Sequence, residues 1–390
     1  MRSFPSLLGR LVLLALALSL GQGADNAVRE SDLAADFVIA ASSNDPRFGE
    51  QWGLARISGP AAWDTTTGSS SVVVAVVDTG VDLHHPDLVS HLVEGRNVMR
   101  DDRSPQDDNG HGTHIAGTIA ATLNNGVGIA GVAPNVSIMP IKVFGRTGRG
   151  SDDAVAEGVY WAVDHGAWVI NMSFGPAASE SQATPLVEQA IDYANSLGAV
   201  VVLAAGNRGT TEAPTLSQSP GVISVAATMP NDARAPFSNH GPWVHVGAPG
   251  TSILSTYFDG TSTYRSASGT SVAAPYVSGV AALLLSIRPA LTPAQVDSIL
   301  RASADALPGQ DVGAGRLNAA HAVAATRDFK GTDPGSPPPA PKAGPAQAAA
   351  GPQPAAGDAG TSLDTVSPDP SSGVAAPTGS DGGTGNTLAP

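Results

Sequence analysis

Three short segments, far apart in the chain, carry side chains that together can activate an alcohol. Val76-Val77-Asp78-Thr79-Gly80 supplies a carboxylate and Asn109-Gly110-His111-Gly112-Thr113-His114 an imidazole. Ser268-Gly269-Thr270-Ser271-Val272-Ala273-Ala274-Pro275 supplies a hydroxyl. A serine hydroxyl is a poor nucleophile until a neighbouring base takes its proton. His111 suits that task because imidazole titrates near neutral pH. Asp78 would hold the other ring nitrogen, fix its tautomer and stabilise the imidazolium. A helix starting at Ser271 would turn its first N–H groups and its dipole toward a developing oxyanion. Asn207, in Leu203-Ala204-Ala205-Gly206-Asn207, is the candidate side-chain donor to that same charge.

Each residue also has a plainer reading. Asp78 alone could cap a turn, and Ser271 could be no more than a helix cap. His111 and His114 stand at helical spacing, as metal ligands can. The H-E-x-x-H pattern is absent, however, because Gly112 and Thr113 lie between them, and His114 is expected to pack inside its helix. A G-x-S-x-G elbow fails at Ala273, and it would require serine before histidine in the chain. The order Asp, His, Ser, with all three contexts present, is what points to a hydrolase using an activated serine.

The elements that must gather these groups alternate along the chain. Apolar, β-branched runs at Ser71–Asp78, Val136–Phe144, Trp168–Phe174, Ala199–Asn207 and Gly221–Thr228 read as strands covered on both faces. Helical patterns fall at His111–Leu123, Asp152–His165, Thr184–Leu197, Thr270–Ile287 and Thr292–Ala302. Gly166 and Gly198 punctuate two helix ends, and Thr292-Pro293 opens the last helix. Pro275, in the early turns of its helix, is expected to cost little, because the first N–H groups lack helical partners. Alternation of this kind predicts an α/β fold with a doubly wound, mostly parallel sheet flanked by helices. Ligands of such sheets bind beyond the carboxyl ends of the strands. Asp78, Ser173 and Asn207 are expected there, with His111 and Ser271 at helix starts on the same edge.

The composition narrows the alternatives. The chain has 390 residues, 42% hydrophobic and 14% charged, which suits one large globular domain. Its net charge of −14 repels a nucleic-acid backbone, so no nucleic-acid partner is expected. With no cysteine, disulfides, a thiolate nucleophile and cysteine-ligated zinc are excluded. Met1, Arg2 and Arg10 precede a leucine-rich run ending at Leu20, followed by small residues. That pattern predicts a secretory signal over residues 1–24, too short for a membrane span, and a short segment over 25–43. The catalytic domain is expected over 44–330. Residues 331–390, rich in Pro, Ala and Gly, are expected to form a disordered tail. The protein is therefore expected to be extracellular, with periplasm or cell surface as further options, monomeric, and without a membrane anchor once the leader is removed.

The quoted segments, with His85-Pro86-Asp87-Leu88 and Asn171-Met172-Ser173-Phe174-Gly175, closely resemble the subtilisin-like serine protease family, peptidase S8. The resemblance runs from about Asn44 to Ala325 and leaves out the leader and the tail. It implies a three-layer subtilisin-like fold and a secreted endopeptidase acting on proteins or peptides through an acyl-enzyme. Asp78, His111 and Ser271 would be its triad and Asn207 would sit in its oxyanion hole. Ser173, Phe174 and Gly175 would pair with an extended substrate strand, and Ala204, Ala205 and Gly206 would wall the pocket before the cut. It also implies a structural Ca²⁺ held by Asp87 and by Leu123, Asn125, Val127 and Ile129, with Asp45 as a further carboxylate. An ordinary Asn-Gly turn is the plainer reading of that loop. A weaker second site would use Asp102, Ser104 and Gln106, while Asp107 and Asp108 read as a solvated acidic loop. Two other functions remain open: a catalytically silent protein that grips peptides, and an esterase.

Overall fold

The computed structural model describes residues 43–100, 104–176 and 185–329, and the backbone of residues 362–365. The chain divides after Ala40, and the description concerns the second unit. The expected leader, Asp102 and most of the tail lie outside the described residues.

Two short helices, α1 (Trp52–Arg56) and α2 (Gly59–Trp63), precede the first strand, β1 (Val73–Asp78). The chain continues through β2 (Arg96–Asn97), α3 (His111–Ala120), β3 (Ser137–Lys142) and the short β4 (Arg149–Ser151). Next come α4 (Asp152–Asp164), β5 (Ala167–Met172), β6 (Phe174–Pro176) and α5 (Pro185–Ser196). Strands β7 (Val200–Ala204), β8 (Val222–Thr228) and β9 (Val246–Pro249) lead to a hairpin, β10 (Ile253–Phe258) and β11 (Ser262–Ala267). Helices α6 (Thr270–Ile287), α7 (Pro293–Ala302) and α8 (Ala319–Arg327) follow, and β12 (Ser362–Thr365) comes from the tail.

Seven strands make one sheet in the order β2-β3-β1-β5-β7-β8-β9, and each neighbouring pair is parallel. The sheet is doubly wound, as the alternation predicts. Its two faces bury different side chains of the same strands. On β1, Val74 and Val76 join the core beneath α3 and α6, while Ala75 and Val77 join the core beneath α4 and α5. On β7, Val200 and Val202 go to the first core and Val201 and Leu203 to the second. This period of two, with both faces covered, is why the strands read as unbroken apolar runs.

The helix ends follow local chemistry. Gly166 and Gly198 adopt φ of 100° and 87°, the left-handed conformation that closes a helix cheaply only for glycine. Thr292 caps α7 in a complete capping box with Gln295. Helix α3 ends at Ala120 rather than Leu123, because Ala121 is extended and Thr122 donates its N–H to Asp87 O at 3.0 Å. Pro275 also departs from expectation. It is the sixth residue of α6, beyond the orphan N–H groups, so its missing donor deprives the Ser271 carbonyl of a helical partner. The Ser173 hydroxyl takes that place, donating to Ser271 O at 2.7 Å.

Strand ends differ from expectation too. The third apolar run breaks after Met172, and Phe174 opens a separate strand; β7 stops at Ala204, short of Asn207. Within the tail, the structure describes only Ser362–Thr365. That segment forms the middle strand of a three-stranded sheet, β4-β12-β6. Among the described residues, β4 and β6 pair with no other strand, so β12 joins two short edges.

Packing beneath α6 yields a test. A Cβ on Gly279 would lie 2.6 Å from Val132 Cβ. Alanine gains about 1 kcal/mol of helix propensity but overpacks the core by about 1–3 kcal/mol. Gly279→Ala is therefore expected to lower the guanidinium unfolding midpoint. A raised midpoint would contradict this packing.

Candidate active site

The carboxyl edge of the parallel sheet carries the polar groups that its core excludes. Asp78 is the last residue of β1 and is fully buried. Its neighbour along the edge is the Met172-Ser173 step at the end of β5, since β1 and β5 are paired and parallel. His111 opens α3, and its Nδ1 donates to Asp78 Oδ1 and Oδ2 at 2.8 and 2.9 Å. The two elements approach this closely because Gly112 has no side chain: a Cβ there would sit 2.1 Å from Gly80 O. Burial pulls the His111 imidazole down, but the charge and hydrogen bond of Asp78, with the charge of Asp107, outweigh it and leave the pKa raised. His111 Nε2 is buried without a hydrogen-bond partner.

Ser271 is the second residue of α6 and is buried, with its carbonyl held by Ser173. Ser173 is itself oriented by Asn171, whose Nδ2 donates to Ser173 Oγ at 2.8 Å. Asn171 Oδ1 accepts from Ser278 Oγ at 2.8 Å, so one chain of polar groups ties β5 to α6. Asn207 joins α6 from the other side. Its Oδ1 accepts from Thr270 N at 2.8 Å and from Thr270 Oγ1 at 2.9 Å. The donor end of the amide, Nδ2, therefore points away from Thr270. Gly206 adopts φ of 100°, and a Cβ there would meet Asn239 Nδ2 at 2.5 Å. Ala204 and Ala205 are buried beside it, while Arg208 and Glu212 are exposed. Phe174 and Gly175 lie on β6, the short strand beyond Ser173.

Several residues that position this edge were not singled out from the sequence. Asp107 is not a solvated loop residue. It is 1% exposed and accepts from Thr79 Oγ1, Asn109 N, Gly110 N, and both Thr113 N and Oγ1. It thus caps α3 from outside and fixes the turn that presents His111. Burial raises its pKa, and these donors oppose the rise. Lys142 Nζ donates to Thr79 O and Phe144 O, binding the ends of β1 and β3 together, and also to Asp108. Asn239 accepts from Arg208 N and donates to Ala205 O, holding the Ala205–Arg208 turn.

The loop after α3 gathers the expected cation ligands. Asp45 accepts from Ser43 Oγ and from the N–H groups of Asn124, Asn125 and Gly126. Asp87 accepts from Asn125 Nδ2 at 2.7 Å, Ile129 N at 2.9 Å and Tyr264 OH at 3.1 Å. Burial nevertheless raises the Asp87 pKa, with these bonds opposing. Among the described residues, the Leu123, Val127 and Ile129 carbonyls accept no hydrogen bond. No group of three or more His, Cys, Asp or Glu side chains suited to a metal occurs among the described residues. Gln106, expected at a weaker second site, instead gives its amide to Asp82 Oδ1 and accepts from Leu83 N.

The chain matches known proteins over this same region. The sequence profile of the subtilase family matches residues 69–324. Thermitase from Thermoactinomyces vulgaris is 44% identical over 283 residues, which cover 72% of this chain and 98% of that one. Subtilisin BL from Lederbergia lenta is 41% identical over 277 residues, 71% of this chain and 98% of that one. An extracellular protease of Xanthomonas campestris is 39% identical over 72% of this chain and 57% of its own length. Among solved structures, a protease from Pseudoalteromonas arctica superposes with a TM-score of 0.68 at 35% identity, covering 73% of this chain and all of that one.

His114 provides the test of this geometry. Its Nε2 donates to Ile253 O at 2.9 Å, and burial, with the like charge of His111, lowers its pKa to about 4. The neutral ring is the bound form, so its contribution is complete above the unfolded value near 6.5 and is lost as pH falls toward 4. That shift is worth about 3 kcal/mol. His114→Gln keeps a donor for Ile253 without the titration. Its unfolding free energy is expected to fall less than the wild type's between pH 6.5 and 4; parallel curves would refute this.

Proposed function

The chain belongs to the subtilase family and is a subtilisin-like serine endopeptidase, and from that premise we propose that Asp78, His111 and Ser271 carry out its chemistry, with Asn207 at the oxyanion. The observation that carries this reading is His111, held through Nδ1 by a buried Asp78 while its buried Nε2 lacks a partner, at the edge where α6 begins. His111 Nε2 takes the Ser271 proton as Oγ attacks the scissile carbonyl, and later returns it to the leaving amine. Asp78 keeps the proton on Nδ1, so Nε2 is the basic nitrogen, and stabilises the imidazolium that forms. The Ser271 N–H and Asn207 Nδ2 receive the charge that develops on the carbonyl oxygen. Water then hydrolyses the resulting acyl-enzyme.

Substrate backbone adds to β6 as a strand, giving affinity through Phe174 and Gly175, with Ser173 beside the reacting carbonyl. Ala204, Ala205 and Gly206 wall the pocket of the residue before the cut. Secretion is supported by the basic and apolar N-terminal pattern and by the relative named as extracellular.

The loop 123–129 fits a calcium ion in the kind of donors it offers: carboxylates, an amide and carbonyls without hydrogen bonds. Asp87, Asn125, and the Leu123, Val127 and Ile129 carbonyls would hold it, with Asp45 shaping the loop from beneath. Asn125 now turns Nδ2 to Asp87, so its oxygen serves only if the amide turns over. The ion would neutralise a buried carboxylate and stiffen the loop between α3 and β3; it takes no part in the reaction.

A fluorophosphonate probe is expected to label the folded protein and to fail on Ser271→Ala. Asn207→Ala is expected to cut kcat about 10²–10³-fold, a scale taken from subtilisin, with little change in KM. Folded protein that resists the probe would favour a silent peptide-binding role, and ester turnover without casein digestion would favour an esterase. For the ion, calcium at 100 times its Kd should add about 2.7 kcal/mol of stability. A melting temperature unchanged by EGTA would remove the site.

A further inference from the structure

Strand β6, read above as the strand that accepts substrate backbone, does not stand alone: a segment of the chain's own tail lies between it and β4. In β12, Ser362, Leu363 and Asp364 pair antiparallel with Ser151, Gly150 and Arg149. On the other edge, Leu363, Asp364 and Thr365 pair antiparallel with Pro176, Gly175 and Phe174. Its direction is informative. The pair nearest the reacting serine is Thr365 with Phe174, and Phe174 follows Ser173, whose hydroxyl bonds the Ser271 carbonyl. The strand therefore runs, amino to carboxyl, toward Ser271.

We propose that residues 362–365 are an intramolecular occupant of the substrate groove, a tethered strand that competes with peptide substrates for β4 and β6. The proposal rests on the reading of β6 as the strand that binds substrate backbone.

The tail's sequence supports this choice of segment. Thr361–Ser367 has seven residues without proline or glycine, the longest such run between residues 331 and 390, and it includes Leu363, Thr365 and Val366. A strand with partners on both sides needs its N–H groups and gains from β-branched residues. Pro368 closes the run. The 32 residues from Lys330 to Thr361 span up to about 100 Å when extended, so the tether reaches the groove without strain. A tethered segment acts at an effective concentration near the millimolar range. Contacts that hold a free peptide only weakly are then enough to keep the groove occupied.

The test uses the full chain. Asp364 pairs with both edges, so Asp364→Pro removes its N–H and breaks both ladders while leaving the residues around Ser271 unchanged. In active protein, Asp364→Pro is expected to lower KM for a peptide substrate severalfold with kcat unchanged. In the Ser271→Ala background, a fluorescein-labelled synthetic peptide of residues 360–367 is expected to bind Asp364→Pro about tenfold more tightly than its parent. Equal KM values, equal peptide affinities in the two backgrounds, or no binding to either would overturn the proposal. Fluorophosphonate labelling separates the two readings. Protein that labels normally yet shows no effect of Asp364→Pro has lost the tail's role alone, whereas protein that never labels has lost the proteolytic reading itself.

Discussion

The hydrogen bond from the Ser173 hydroxyl to the Ser271 carbonyl fastens the sheet's carboxyl edge to the first turn of α6. It exists because Pro275 cannot donate to that carbonyl. With proline, the first turns of α6 are fastened to β5 instead of to themselves. Asn171 and Ser278 complete the connection inside the protein, where each polar atom must find a partner or cost its desolvation. The missing backbone donor thus fixes where Ser271 stands relative to the strand that ends beside Asp78.

The same logic governs the acidic side of the site. Asp78 and Asp107 are both buried, and neither is neutralised by a lysine or arginine in direct contact among the described residues. Asp78 is held by Thr79 N and His111, and Asp107 by three backbone N–H groups and two threonine hydroxyls. Two negative groups on one side of His111 keep its pKa raised against burial. The arrangement favours the imidazolium, the state a general base passes through when it takes a proton. Lys142 stands one step removed, using its charge to bind strand ends together.

Much of this was legible from the chain. The buried strands β1, β3, β5, β7 and β8 announce themselves because both faces are covered and the residues are apolar without interruption. Asp78, His111 and Ser271 carry distinctive neighbours because backbones must pass close to one another there, as Gly112 shows. What escaped was either short or polar. The hairpin of β10 and β11 is rich in serine and threonine, whose hydroxyls serve particular partners such as His114 O and Thr113 O rather than an apolar face. Asp107 resembled a surface acid because its burial depends on donors brought by Thr79 and by α3, which local sequence does not reveal. Strand β12 was invisible for a related reason: its partners lie about two hundred positions upstream.

Helix α6 has a mean hydropathy of 1.6 over 18 residues, and 89% of that window is buried within the fold. It packs on β1, β5, β7, β8 and β9 as well as on α3, all of which precede it in the chain. A ribosome or translocon therefore releases the whole sheet before its central covering element exists. Until α6 arrives, one face of the sheet is exposed to other chains, and the contacts it finally makes are long-range in sequence, the kind that form slowly. The feature that makes the finished protein compact thus gives the nascent chain a long interval of vulnerability, during which aggregation competes with completion of the fold.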